Sequence, residues 1–576
     1  MNQKLENILN VSLDATEDEL RKADSLSTGY NWRDNTWEII VKYSGSLESI
    51  RNRYNVYIKE LLNYYAIIVA DKATIELISQ EDVIDYVEKP KSLYYQIERT
   101  KTAACVGSVR ADGNILSGKG VIVGVIDTGI DIFDNAFRNS DGTTRILNIY
   151  DQTTGEKYDK QSIDEYIRLN EDLSGGTFSY DNAPGVDNIM HGTDVSYIAA
   201  GSLGVAYEAD IIAVKMGYSI NNQFPRTTSL MDAIDYIIRK AIEYRKPVAV
   251  NISYGCNYGA HNGNTLLESF IDDISKSYRC VICVGSGNEA DKAIHFGGII
   301  NTGQVQTAYL SVGEYQSAID IQIWKNYWDT IDVMLINPRG EQIGIITEGR
   351  INRYETYNTE IITLLGEPSP YNIYQEIYIN LIPKTDYILS GIWQIVLMAG
   401  SIRAGEYNIW LPSSQALGYA TAFNNPTADG TITIPATARN CIAVGAYNAY
   451  TNSYAAFSGR GFDNSIRNVN AGVKPDITAP GVDISIARQR GNDITYRNVT
   501  GTSYAVPVVT GAAALLMQWG IVMGNDRFMY GEKLKAALID GSKPVGLIGI
   551  TRNDNQPDPR TGWGAVCLIN TLNKIL

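Results

Sequence analysis

Four apolar runs, GVIVGVID, ADIIAVKMG, KPVAVNISYG and CVICVGSGN, are each about one strand long and place apolar residues on both alternate faces. Such a strand needs cover on both sides, which is the situation of a parallel sheet lying between two layers of helices. MDAIDYIIRKAIEYR, which separates two of the runs, has the amphipathic period of a helix. The alternation predicts right-handed strand-helix-strand crossovers and an α/β fold with helices on both faces of a parallel sheet. Functional residues should gather at the carboxyl ends of those strands.

The chemistry-bearing residues fall at such places. VIVGVIDTGID ends in Asp127-Thr128-Gly129, and His191-Gly192-Thr193 precedes the small and apolar run VSYIAAG. Gly501-Thr502-Ser503-Tyr504-Ala505-Val506-Pro507 leads directly into VVTGAAALLMQWG, the pattern of a buried helix. A serine there sits where a helix N-terminus favours developing negative charge, although the same string can also be an ordinary capped helix. An aspartate, a histidine and a serine together are the parts of nucleophilic acyl transfer. The chain has three histidines; His261 in GAHNGN and His295 in DKAIHFGG stand beside no motif, which leaves His191 as the candidate base.

The order Asp, His, Ser is that of subtilisin. With Asn288 in VGSGNEA, and with GVAYEADIIAVKMG, NISYG, TIPATARNCIAVGAYN, FSGRG and KPDITAPG in sequence, the chain resembles the subtilisin-like serine proteases over roughly residues 100–295 and 420–570. The resemblance implies a catalytic triad of Asp127, His191 and Ser503, with an oxyanion hole formed by the Asn288 side chain and the Ser503 N–H. Substrate would pair with Ser253-Tyr254-Gly255, and Gly285, Ser286 and Gly287 would line the other wall of the specificity pocket. Two positions depart from the family pattern: HGTHVAG is HGTDVSYIAAG here, and GTSMAAP is GTSYAVP. Asp194 could raise the pKa of the base or simply solvate a helix face, and solvation is the expectation. Tyr504 places a bulky ring beside the nucleophile.

Two stretches lie outside this resemblance. In residues 1–96, TWEIIVKYSG reads as a strand, ESIRNRYNVYIKEL as helical, NYYAIIVADK as a strand, ATIELISQED as a helix and VIDYVEKPKSLYYQ as a strand with an extended tail. This βαββαβ-like order, with one strand weakly marked, suggests a ferredoxin-like α+β unit. By resemblance it is a prodomain that acts as intramolecular chaperone and inhibitor, its tail lying in the cleft and cut between Gln96 and Ile97. A permanent regulatory domain is the alternative. Residues 296–420 change to short alternating strands separated by PRG, PKT and RAGE turns, the pattern of an antiparallel jelly-roll domain inserted into the protease core of residues 97–295 and 421–576. Rigidifying the enzyme is the expected role of the insertion, with carbohydrate binding as the alternative.

A prodomain, no recognisable signal peptide and an insertion at this point resemble the clostridial germination proteases of the Csp family. The implied function is self-processing followed by activation of a protein zymogen, by resemblance a spore cortex-lytic hydrolase. The alternatives are a non-enzymatic germination-signalling protein and a gut-bacterial protease acting on extracellular proteins. The N-terminus MNQKLENILNVSLDATEDELRKAD is charged throughout, so synthesis in the cytoplasm and association with the spore are expected. No apolar run is read as reaching membrane-spanning length. A net charge of −15 disfavours nucleic acid and anionic membranes as partners. Of six cysteines, only Cys280 and Cys283 have C-x-x-C spacing, and in a strand they point to opposite faces, as buried thiols rather than a metal or redox site. No cofactor is expected; structural calcium is compatible with the family, but no ligands match and no metal residues are assigned.

Overall fold

The computed structural model of the protein describes residues 2–92, 94–95, 110–111, 114–171, 183–217, 224–346, 349–462, 472–490, 493–546 and 557–576. Among these residues the central sheet has seven parallel strands in the order Ile146–Asp151, Asp210–Lys215, Ile122–Asp127, Val248–Ile252, Cys280–Gly285, Ile442–Asn448 and Ile477–Pro480. Short antiparallel strands, Glu156–Asp159 and Ser453–Tyr454, extend it. The apolar runs are buried on both faces as expected. Val123 and Val125 join the cluster beneath helices His191–Ala200 and Thr502–Met517, while Ile122 and Ile126 pack with helices Thr227–Tyr244 and Leu266–Ser277. Cys283 and Cys280 divide in the same way, one to each face.

One expectation from sequence is corrected. Thr502–Met517 and its continuation to Val522 form a helical stretch of 21 residues, long and apolar enough to cross a membrane. It is instead the central helix of the core. Its polar groups bond within the protein: Thr510 Oγ1 donates to Asn251 Oδ1, and Gln518 Oε1 accepts from the Ser117 and Gly118 amides.

The N-terminal unit has the ferredoxin-like order. Thr36–Tyr43, Glu48–Tyr54, Tyr57–Leu61, Tyr65–Ala70, Lys72–Ile78 and Ile84–Glu88 run strand, helix, strand, strand, helix, strand, and the four strands pair antiparallel. The weakly marked strand lies inside ESIRNRYNVYIKEL, which is therefore only half helical. Asn55 adopts a left-handed conformation (φ 48°), which ends the helix before Tyr57–Leu61 begins. Three short helices from Asn7 to Ser27 were not anticipated. Ile39 and Val41 face these helices, whereas Ile40 packs into the protease core. Hydrogen bonds fix this docking: the Leu62 amide donates to Asp235, and the Leu266 amide to Glu88.

The described residues of the inserted segment form two antiparallel sheets bounded by His295–Ile299 and Ala422–Phe423, the chain passing repeatedly from one layer to the other, which is consistent with a jelly roll. Ile362, Leu364, Tyr378 and Ile382 of this sandwich complete the apolar core of the N-terminal unit. Glu376 lies at the same contact, accepting from Gln322 Nε2 at 2.6 Å, and burial, reinforced by Glu6, pushes its carboxyl up to about 8. A carboxyl whose folded-state pKa is raised binds its proton more tightly when folded, so its stabilising effect is lost as pH rises from the ordinary carboxylate range through that value. In an uncut Ser503→Ala background, the denaturation midpoint of Glu376→Gln should therefore gain on that of the parent between about pH 5 and about pH 8. Equal midpoints across this range would contradict the assignment.

Candidate active site

Asp127 ends its strand, and the carboxylate is fully buried. Its Oδ1 accepts from the Thr128 amide at 2.8 Å and meets His191 Nδ1 at 2.6 Å. His191 is the first residue of helix His191–Ala200, which can approach the strand this closely because the next residue is glycine. A Cβ on Gly192 would lie 2.3 Å from the Gly129 carbonyl oxygen and 2.9 Å from Asp127 Cβ. Asp187 and Thr128, which sequence reading missed, fix the helix start. Asp187 accepts from the Met190 and Thr193 amides and from both threonine hydroxyls, while Thr128 Oγ1 accepts from the Gly192 amide. Burial opposes the imidazolium, but Asp127, Asp194 and Asp187 together outweigh it, so the His191 pKa lies above that of an ordinary imidazole.

Ser503 lies in the first turn of Thr502–Met517, after Gly501, whose φ of 145° suits glycine. Amides in a first helical turn have no intrahelical acceptor, so the Ser503 N–H belongs to the set able to bind an anion. Pro507 has no N–H to offer the Ser503 carbonyl four residues earlier, and that carbonyl accepts from Ser253 Oγ at 3.3 Å instead. Ser253 in turn accepts from Asn251 Nδ2 at 3.0 Å, and Thr510 donates to Asn251 Oδ1. This polar chain seats the serine helix on the strand end. His191 and the serine helix meet through Tyr504, whose ring centroid is 5.3 Å from that of the imidazole.

Asn288 follows strand Cys280–Gly285 after a turn at Gly287 (φ 95°), where a Cβ would also lie 2.6 Å from Thr433 Cγ2. Its Oδ1 accepts from the Thr502 amide at 3.0 Å and the Thr502 hydroxyl at 3.2 Å. This fixes the amide orientation and leaves the buried Nδ2 without a partner among the described residues. A pre-oriented donor beside the serine is the arrangement that stabilises an oxyanion. Asn288→Ala should lower kcat by about 10²–10³ with KM little changed. Steady-state kinetics on a peptide substrate checks this, and a kcat within a few-fold of wild type would contradict it.

The chain itself occupies the expected substrate edge. Tyr94–Tyr95 pairs antiparallel with Tyr254–Gly255, Tyr95 opposite Tyr254 and Tyr94 opposite Gly255. Upstream, the Thr227 amide donates to the Lys91 carbonyl at 2.7 Å, and Ser92 bridges Arg226. The Gln96–Ile97 bond lies outside the described residues. Gly285, Ser286 and Gly287 lie beside this edge, with the Ser286 backbone held between Val444 and Thr433 and its hydroxyl against Ser458.

Asp194 does not solvate a helix face. It is fully buried and ion-paired with Arg488 and Arg497 of the hairpin Ile484–Arg490 and Asp493–Val499. Spacing placed it one turn beyond His191, but its partners, some three hundred positions away, carried no signal in the sequence.

Comparison with known proteins bears on the same residues. The subtilase family model matches residues 118–368 and 404–564, and the Csp protease B prodomain model matches residues 3–91. The chain belongs to the subtilase family. The structure of the Clostridium perfringens CspB protease is 34% identical, with a TM-score of 0.74 over 82% of this subtilase and 96% of that chain. The subtilase-type proteinase RRT12 of Saccharomyces cerevisiae is 33% identical over 128 residues, and the subtilisin-like protease 10 of Arthroderma otae is 34% identical over 120. The subtilase spans about a quarter of the length of these two relatives, 23% and 27% respectively. It is a serine endopeptidase built from a subtilisin-like core and a Csp-type prodomain.

Proposed function

We propose that this subtilase cuts its own chain between Gln96 and Ile97 and that the mature enzyme then activates a protein zymogen, a spore cortex-lytic hydrolase, during germination. Ser503 Oγ attacks the carbonyl carbon while His191 takes its proton. The C–N bond then breaks as that proton passes to the leaving amine, and water resolves the acyl-enzyme by the same steps. Asp127 orients the imidazole and stabilises its charged form, and Asn288 Nδ2 with the Ser503 N–H holds the oxyanion. Side chains and backbone amides carry every proposed step, with no cofactor.

The observation that carries the reading is the tail of the prodomain paired as a strand on Tyr254–Gly255. That is how a peptide substrate adds to a sheet edge. N-terminal sequencing of the purified mature chain should begin at Ile97. Incubation with the isolated cortex-lytic zymogen should yield a shortened, active hydrolase. A processed protease that leaves the zymogen intact would refute the germination role while preserving self-cleavage.

A further inference from the structure

The two departures from the family pattern, Asp194 and Tyr504, meet on one side chain. Arg488 Nε donates to Asp194 Oδ1 at 3.1 Å, and its Nη2 donates to the Met190 carbonyl at 3.0 Å, just before His191. Arg497 pairs with the other oxygen of Asp194 and also hydrogen-bonds the Tyr504 phenol. In the hairpin register Arg488 faces Thr495 and Ile486 faces Arg497, so both arginines project from one face of the ribbon. The second strand ends at Val499 and runs through Thr500, Gly501 and Thr502 into the nucleophile. One buried carboxylate, a helical turn beyond the base, thus grips the strand that delivers the serine.

We propose that Asp194 is a positioning residue for this active site: through Arg488 and Arg497 it holds the His191 helix against the segment carrying Ser503 and Tyr504. The inference rests on the catalytic assignment of His191 and Ser503. The groups facing His191 are the carboxylates of Asp127, Asp187 and Asp194 and the Tyr504 ring, with Arg488 and Arg497 behind Asp194. Removing the Asp194 charge therefore makes protonation of the base less favourable as well as loosening its attachment.

The test uses the mature enzyme and a chromogenic peptide carrying the chain's own residues 92–96. Asp194→Asn should lower kcat by about tenfold to a hundredfold, the scale of a small misplacement of reacting groups, with KM within about twofold. The acid limb of the kcat/KM profile should move to lower pH, a change that a purely structural role would not produce. Arg497→Gln leaves the buried Asp194 carboxylate paired with Arg488 and serves as the variant expected to fold. It should also lower kcat, and the double variant should be no worse than Asp194→Asn alone. Wild-type kcat in Arg497→Gln, or a slow Asp194→Asn enzyme with an unshifted pH profile, would overturn the inference. If the wild type is itself inactive and indistinguishable from Ser503→Ala, the catalytic assignment fails instead.

Discussion

Ser503→Ala will leave the chain whole: purified protein will have the 63.5 kDa mass of all 576 residues, whereas wild type will have lost the first 96. The expectation follows from where the serine sits. Its carbonyl is tied to Ser253, its helix start is tied to Asn288, and the prodomain tail is paired along the adjoining edge. The substitution removes one oxygen from a fully buried residue, so the fold should survive while the nucleophile is lost. On a peptide substrate, turnover should fall by about 10⁶, the loss known for subtilisin, with a small residue of catalysis from the oxyanion donors. Intact-mass spectrometry separates the outcomes, and a Ser503→Ala chain cut like wild type would show that another group performs the cleavage.

Asp127→Asn should give the second-largest loss, about 10⁴ in kcat, because an amide can donate to His191 Nδ1 and hold the ring in the tautomer that cannot take the serine proton. The 2.6 Å contact is what makes the loss so large. The pair also has a pH signature. A histidine whose folded-state pKa is raised adds stability that is fully present below the ordinary imidazole value, about 6.5, and is lost as pH rises through the folded value. Catalysis runs the other way, since the base must be neutral, and the acid limb of kcat/KM should lie above that of an ordinary imidazole. Asp127→Asn should remove much of that elevation. A variant retaining wild-type kcat and an unshifted profile would mean that the carboxylate only packs the helix.

The parallel sheet was legible because a strand covered on both faces must be apolar throughout, and GVIVGVID and CVICVGSGN are. Asp127, His191, Ser503 and Asn288 could be read because each directly follows or opens such an element. Other features were hidden for definite reasons. The strand Tyr57–Leu61 follows a single turn set by a left-handed Asn55, which has no hydrophobic periodicity to betray it. The apolar stretch from Thr502 to Val522 passed unnoticed as span-length because Thr510 and Gln518 interrupt it, yet in the core these residues are bonding partners. Asp187, four residues before His191, carried the local signal of a displaced cap and could have been found. The pairing of Asp194 with Arg488 and Arg497 depends on a long-range contact, for which neighbouring residues give no evidence.

Covalent labelling with a serine-directed fluorophosphonate, followed by peptide mapping, tests the central claim most directly, because the reagent reports a serine activated by its base. The account predicts one label per mature molecule on Ser503, absent from both Ser503→Ala and His191→Ala. Failure to label the wild type, or a label at another serine that persists in His191→Ala, would contradict it.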